Sequence, residues 1–298
     1  MGNDRDRVPR GRSDGSRDGD ERAASRIPTI VWNRDREATR DLVELGAEVA
    51  ETAADAARRA AVVVTMVTDT DAVISIARDQ GMLAALAPGT IWVQMSTIGV
   101  AGIERVAALV DAERPDVILL DAPVSGSKVP AEQGQLTIFA SGPEEARSRV
   151  YPLFEALGQR TIWVGAVGAG SRLKLVNNTW LAFTSEAVAS SIALARRLGL
   201  GTETVVGALD GSTLVSPWQA AKLQRIAKDD YSSQFGLSLA LKDVHLALQA
   251  ADDGRFAALA SLADEWQHAV DDGLGDQDLT VMTRALEQHR GTQTASVS

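Results

Sequence analysis

Short runs rich in β-branched and aromatic residues recur from Thr29 onward, and stretches with apolar positions three and four apart separate them. The runs are Thr29–Trp32, Val62–Val67, Thr90–Met95, Val117–Leu120, Leu136–Ser141 and Thr161–Val164; the helical stretches include Arg36–Leu45, Ala101–Asp111 and Glu144–Leu157. Apolar strands alternating with helices predict an α/β fold, a doubly wound and mostly parallel sheet with helices on both faces. The strands at Val31 and Val62, and those at Ile91 and Val117, are each separated by a helix-length crossover, as right-handed βαβ units require. After Gly170 the strand signals stop. Helical periodicity then runs through Leu173–Leu198, Val205–Leu209, Leu237–Ala251 and Phe256–Val270, which predicts an all-helical C-terminal domain. Ala182, Ser185, Ala189 and Ala193 line one side of the first of these helices, where small residues permit close packing, either on a second subunit or within the domain.

The first residues break this pattern. From Met1 to Ser25 there is no leucine and no aromatic residue, while Arg, Asp and Gly dominate. Such a segment buries too little apolar surface to offset its ordering entropy, so it is expected to be disordered.

Composition narrows the function. The 298 residues are 45% hydrophobic and 23% charged, ordinary for a soluble globular protein. A net charge of −10 repels phosphate, which argues against nucleic acid or an anionic membrane and for a small-molecule partner. With no cysteine, disulfides and thiolate chemistry are excluded. His245, His268 and His289 are scattered at helical positions, so no metal site is expected. No apolar run is long enough to span a bilayer and the N-terminus has no apolar h-region; a cytoplasmic location is expected.

In open α/β sheets ligands bind beyond the carboxyl ends of the strands. After the first strand stand Asn33 and Arg34, where an arginine suits a ribose 2′-phosphate and otherwise is a solvated loop residue. Met66 and Val67 follow the second strand and Ser96 and Thr97 the third, positions that line a cofactor groove or cap the next helix. Ser125, Gly126 and Ser127 offer hydroxyls and open N–H groups to a carboxylate or phosphate, or form an ordinary turn. In Gly165-Ala-Val-Gly-Ala-Gly-Ser-Arg-Leu-Lys174-Leu-Val-Asn-Asn178, glycines open a helix that carries Lys174 and Asn178 on one face. A lysine on an interdomain helix is costly to bury unless it is used, and desolvation brings it toward general acid–base range; on the surface it would be an ordinary lysine beside a capping asparagine. Lys242-Asp243, after the stripe from Phe235 to Leu241, reads by itself as an exposed ion pair.

In order, these segments resemble the β-hydroxyacid dehydrogenase family, the group of 3-hydroxyisobutyrate dehydrogenase, tartronate semialdehyde reductase and 6-phosphogluconate dehydrogenase. The resemblance spans Val31 to Leu286 and rests on Val-Trp-Asn-Arg at 31–34, Met-Ser-Thr-Ile at 95–98, Asp-Ala-Pro-Val-Ser-Gly at 121–126, the Gly-to-Asn178 segment, and Phe-x-Leu-x-Leu-x-x-Lys-Asp at 235–243. It implies a Rossmann-like NAD(P)-binding domain over 27–166 and a helical substrate and dimerisation domain over 167–290, flanked by disordered 1–26 and 291–298, in a homodimer or homotetramer. It further implies hydride transfer between NADP(H), with NAD as the alternative, and a short β-hydroxy acid or semialdehyde. Lys174 would exchange the proton of the substrate oxygen and Asn178 would orient it. Ser125, Gly126 and Ser127 would hold the carboxylate, and Asn33, Arg34, Met66, Val67, Thr97, Phe235 and Lys242 would meet the cofactor. The rival readings are a non-catalytic, dimeric small-acid binder and an imine-reductase-like enzyme; imine reductases commonly carry another residue where Lys174 stands.

One part of the family pattern is missing: the first strand and its Gly-x-Gly-x-x-Gly turn, whose glycines let the backbone approach a pyrophosphate. Back-translated and read one nucleotide later, the codons of Arg10-Gly11, Arg12-Ser13 and Gly15-Ser16 are compatible with that glycine spacing. Residues from about Asp4 to Pro28 are therefore read as an out-of-frame version of the motif, caused by a single-base change near codons 28–30 and an alternative start; the competing reading is an unrelated extension. Sequencing of independent genomic DNA across codons 1–35 is expected to show one base gained or lost there, and an unchanged frame would overturn this reading.

Overall fold

The computed structural model describes residues 27–252 and 254–288; the segment 1–26 and the tail 291–298, both expected to be disordered, lie outside them. The α/β part runs β1 (Ile30–Val31), α1 (Arg40–Glu44), β2 (Glu48–Val49), α2 (Ala53–Arg58), β3 (Val62–Thr65), α3 (Thr70–Ala77), α4 (Met82–Ala85), β4 (Ile91–Gln94), α5 (Gly99–Glu113) and β5 (Ile118–Asp121). It continues through β6 (Val124–Ser125), α6 (Lys128–Glu132), β7 (Leu136–Ala140), α7 (Arg147–Leu157) and β8 (Gly158–Trp163). Helices α8 (Ala169–Arg197), α9 (Thr202–Leu209), α10 (Pro217–Ala227), α11 (Leu237–Ala251), α12 (Ala257–Ala269) and α13 (Met282–Gln288) follow.

Strands β3, β4 and β5 form a parallel sheet in which Ile91 lies opposite both Val62 and Ile118. Every residue of β4 is buried, and its side chains divide between two cores as the pleat requires. Trp92 joins α3 and α5 on one face, whereas Ile91 and Val93 join α7 and β7 on the other. This is the Rossmann-like, doubly covered sheet that the strand–helix alternation predicts.

The expected unit linking Val31 to Val62 is replaced by another pairing. Val31 lies opposite Val49 of β2, and β1 and β2 make a separate parallel pair. The two-residue β2, half of it polar, is too short to give an apolar run. Among the described residues no strand pairs with the free edge of β3, and Val64 there is exposed.

A third sheet, β6-β7-β8, has β6 antiparallel and β8 parallel to β7. An isolated antiparallel bridge between Asp121 and Ser141 ties it to the end of β5. In the helical part, α8 spans 29 residues, on the order of 40 Å. Ala182, Ala189 and Ile192 pack against Leu237, Leu241 and Trp266 of the same chain, and Ser185 is buried. The small-residue side of α8 is thus an internal packing surface and not an open subunit contact.

The start of α8 follows from glycine chemistry. Gly165 and Gly168 have positive φ angles of 72° and 91°, and a Cβ at Gly170 would stand 2.2 Å from the Phe139 carbonyl oxygen and 2.8 Å from that of Asp121. Both neighbours are strand backbone and cannot yield, so Gly170→Ala is expected to destabilise the protein by about 1–3 kcal/mol, the usual cost of overpacking. Thermal unfolding checks this, and an unchanged melting temperature would refute it.

Candidate active site

Helix α8 enters the core between β5 and β7 without a capping side chain of its own, because Gly168 occupies the N-cap. The Ala166 carbonyl accepts from Ala169 N at 3.1 Å, and the next two N–H groups are satisfied from a distance. Ser141 Oγ accepts from Gly170 N at 2.9 Å, and the buried Asp121 carboxylate accepts from Ser171 N and Ser171 Oγ, both at 2.8 Å. Ser141 in turn donates to the Asp121 carbonyl at 3.1 Å. Carboxylates favour helix N-termini, and burial raises the Asp121 pKa in spite of these hydrogen bonds. The motif segment at 121–126 therefore does two jobs: its aspartate anchors α8, and its serine faces the cleft.

Lys174 and Asn178 sit one turn apart on α8, both buried, in the wall of a cleft of about 310 Å³. Ser125, Gly126, Ser127 and Phe235 line the same cleft, so six of the residues singled out by sequence converge. Among the described residues none accepts a hydrogen bond from the Lys174 ammonium. Desolvation brings its pKa from 10.5 down to about 8, with the Asp243 charge opposing the shift and Lys242 adding to it. Keeping that ammonium charged in the folded protein costs on the order of 3 kcal/mol at neutral pH.

Asn178 Nδ2 donates to Asp243 Oδ2 at 2.5 Å. Asp243 is buried, which corrects the reading of Lys242-Asp243 as an exposed pair; only Lys242 is half-exposed. Burial follows from the packing of α11 on α8, which turns Asp243 toward the face that carries Asn178. Asn177, unassigned from sequence, also lines the cleft and donates to Ser125 Oγ at 3.3 Å and to Asn178 Oδ1 at 3.0 Å. Two adjacent asparagines beyond a lysine were the available signal, since positions three and four residues on share its face.

Apart from Phe235, which lines the cleft, the residues assigned to the cofactor fall into two groups. Lys242 Nζ donates to the Thr97 carbonyl at 2.6 Å, and Ser96 Oγ accepts from Val67 N at 2.8 Å, which joins the loops after β3 and β4; neither loop is among the residues that line the cleft. The buried Gln94 side chain holds both the N–H and the carbonyl of Ser96, at 2.8 and 2.9 Å, and so fixes the shape of that loop. Met66 is exposed in the loop after β3. Asn33 and Arg34 lie apart, exposed at the end of β1, and Asn33 Oδ1 accepts from Asp35 N at 3.0 Å. These are the groups that the resemblance assigns to the nicotinamide and to the adenosine ribose. The backbone cradle for the pyrophosphate between them is not among the described residues.

The comparisons with known proteins agree with this layout. The NAD binding domain of 6-phosphogluconate dehydrogenase matches residues 21–165, and the NAD-binding domain of NADP-dependent 3-hydroxyisobutyrate dehydrogenase matches residues 168–286. Glyoxylate/succinic semialdehyde reductase 1 of Arabidopsis thaliana is 31% identical over 87% of this chain and 90% of its own length. The structure of Mycobacterium tuberculosis 3-hydroxyisobutyrate dehydrogenase with L-serine superposes with a TM-score of 0.74 at 30% identity, over 86% of this chain and 89% of that one. That of Psf3 in complex with NADP+ and 2-OPP gives 0.80 at 26% identity, over 88% and 93%. With both halves matched in order and a buried lysine at the seam, the chain belongs to the β-hydroxyacid dehydrogenase family of NAD(P)-dependent oxidoreductases.

Proposed function

We propose that this protein interconverts a short β-hydroxy acid and its semialdehyde with NADP(H), and that Lys174 moves the proton. The observation that carries the reading is Lys174 itself, buried at the head of the cleft with its pKa lowered to about 8. A group titrating there supplies both proton-transfer forms near neutral pH. In reduction the ammonium donates to the substrate oxygen; in oxidation the neutral amine takes that proton back. Asn178, oriented by Asp243, holds the oxygen toward Lys174, and Ser125, Gly126 and Ser127 receive the carboxylate. Thr97, Lys242, Met66 and Val67 would hold the nicotinamide, which would supply or accept the hydride at the reacting carbon, and Phe235, in the cleft, would face both ring and substrate. Arg34 favours the 2′-phosphate of NADP over NAD. The name 3-hydroxyisobutyrate dehydrogenase among the relatives supports a β-hydroxy acid, while glyoxylate/succinic semialdehyde reductase 1 supports the coarser class, a short oxo acid reduced to its hydroxy acid.

The division of labour would fall at 166/167, with the helical part shaping the substrate side. We place a second copy of the chain on the outer face of α8, where Val176, Trp180 and Phe183 are 66%, 78% and 41% exposed beside the cleft. Among the described residues no helix is long and apolar enough to cross a membrane, and we propose a cytoplasmic location. Full activity belongs to the chain with its Gly-rich turn restored.

Lys174→Ala is expected to lower kcat by about 10²–10⁴-fold while NADPH, followed by its fluorescence, still binds. Unchanged turnover would remove the proton-transfer role. A chain that takes up no NADPH yet retains a short hydroxy acid favours the non-catalytic binder instead. In kcat/KM, oxidation should rise with pH through a midpoint near 8 and reduction should fall through the same midpoint. The same shift predicts a stability effect. Because the folded pKa lies below the unfolded one, the cost of burying the ammonium is complete below pH 8 and vanishes as pH rises toward 10.5. Lys174→Met should therefore melt higher than the unaltered protein at pH 7, with an advantage that shrinks through that window; an advantage independent of pH would contradict the assignment.

A further inference from the structure

The cleft contains a second buried lysine that the proposed chemistry does not use. Lys222 of α10 is buried and lines the same cleft as Lys174, and its ammonium has three acceptors: Asp278 Oδ1 at 3.0 Å, Asp278 Oδ2 at 2.8 Å and Gln234 Oε1 at 3.1 Å. It also stands 5.4 Å from the centre of the Trp218 ring. Asp278 has no exposed surface, and beyond Lys222 its carboxylate accepts the N–H groups of Gln234 at 3.2 Å and Phe235 at 3.3 Å, and both the N–H and hydroxyl of Thr280.

Those two backbone donors belong to the non-helical segment that presents Phe235 to the cleft. Main-chain bonds fasten the same segment to the turn around Asp278: Asp278 N to the Tyr231 carbonyl at 3.0 Å, Leu279 N to that of Phe235 at 3.1 Å, and Leu237 N to that of Gln277 at 2.9 Å. A buried ion pair is weak support for stability, since an apolar pair of equal volume commonly serves as well. What an apolar pair cannot supply is an acceptor for two consecutive N–H groups, held in place by a fixed cation.

We propose that the Lys222–Asp278 pair is a positioning device that sets Phe235 and Gln234 against the substrate, so that affinity for the hydroxy acid depends on it although neither residue takes part in the proton transfer. This rests on the hydroxy-acid reading of the cleft. Lys222 holds Asp278 in one orientation, Asp278 holds the backbone of residues 234 and 235, and that backbone directs the Phe235 ring and the Gln234 amide into the cleft.

The test uses the full chain and Lys222→Met, with Lys222→Met/Asp278→Asn as a charge-balanced variant should the single one fail to fold. Amide hydrogen exchange at Gln234 and Phe235, measured without ligand, is expected to quicken about tenfold while amides of Leu241 and Val244 in α11 keep their protection. Calorimetric titration with 3-hydroxypropionate is expected to show a Kd about tenfold weaker, and in a Phe235→Ala background Lys222→Met should add nothing further. Unchanged exchange at 234 and 235, exchange quickened equally throughout α11, or quickened local exchange with an unchanged Kd would each overturn the proposal. If the unaltered protein binds no 3-hydroxypropionate, the hydroxy-acid reading fails, and the exchange data still decide whether the pair holds the segment.

Discussion

The N-terminus of α8 is the junction on which the site depends. Its free N–H groups must be met because they are buried; Ser141 and Asp121, at the ends of β7 and β5, meet those of Gly170 and Ser171. Gly170 makes the arrangement sterically feasible by letting the helix backbone touch two strand carbonyls. The position of Lys174 one turn further on is then inherited from the sheet, since a regular helix allows little independent adjustment. A lysine on a loop could reach the same point but could not be held there at comparable precision.

The two buried lysines of the cleft show how surroundings divide one residue type into two roles. Burial lowers the pKa of each. Lys222 has three acceptors and a facing carboxylate, so its proton is committed to holding structure. Lys174 has no such partner among the described residues, and Asp243, the nearest compensating charge, is engaged by Asn178. Desolvation therefore prevails at Lys174, and the outcome is a proton that can leave near neutral pH. In the proposed reaction this is the position where a labile proton is useful.

The chain of contacts from Ser125 through Asn177 and Asn178 to Asp243 crosses from the α/β part to α11. Lys242 continues it back to Thr97 at the end of β4. Groups that line the cleft and the loop at the end of β4 are thereby joined in one polar network spanning both halves of the chain. The helical part does more than cover the cleft: through α11 it supplies both the carboxylate behind Asn178 and the cation beside Thr97.

Much of this was legible along the chain. The long strands and helices announced themselves because an apolar run or a 3.6-residue period reports burial directly, and Lys174 and Asn178 were recognisable because spacing within one helix is a property of sequence alone. Short elements escaped: β2 and β6 have two residues each, and α10, although opened by a capping box at Ser216 and Gln219, lies between polar stretches. Tertiary structure alone decided which polar residues lose their water. Asp121, Asp243, Lys222 and Asp278 have nothing in their local sequence that marks them as buried, and each owes its role to a partner distant in the chain. A side chain's chemistry and its helical face are encoded locally, whereas desolvation and hydrogen-bond partners arise only when separate segments pack together.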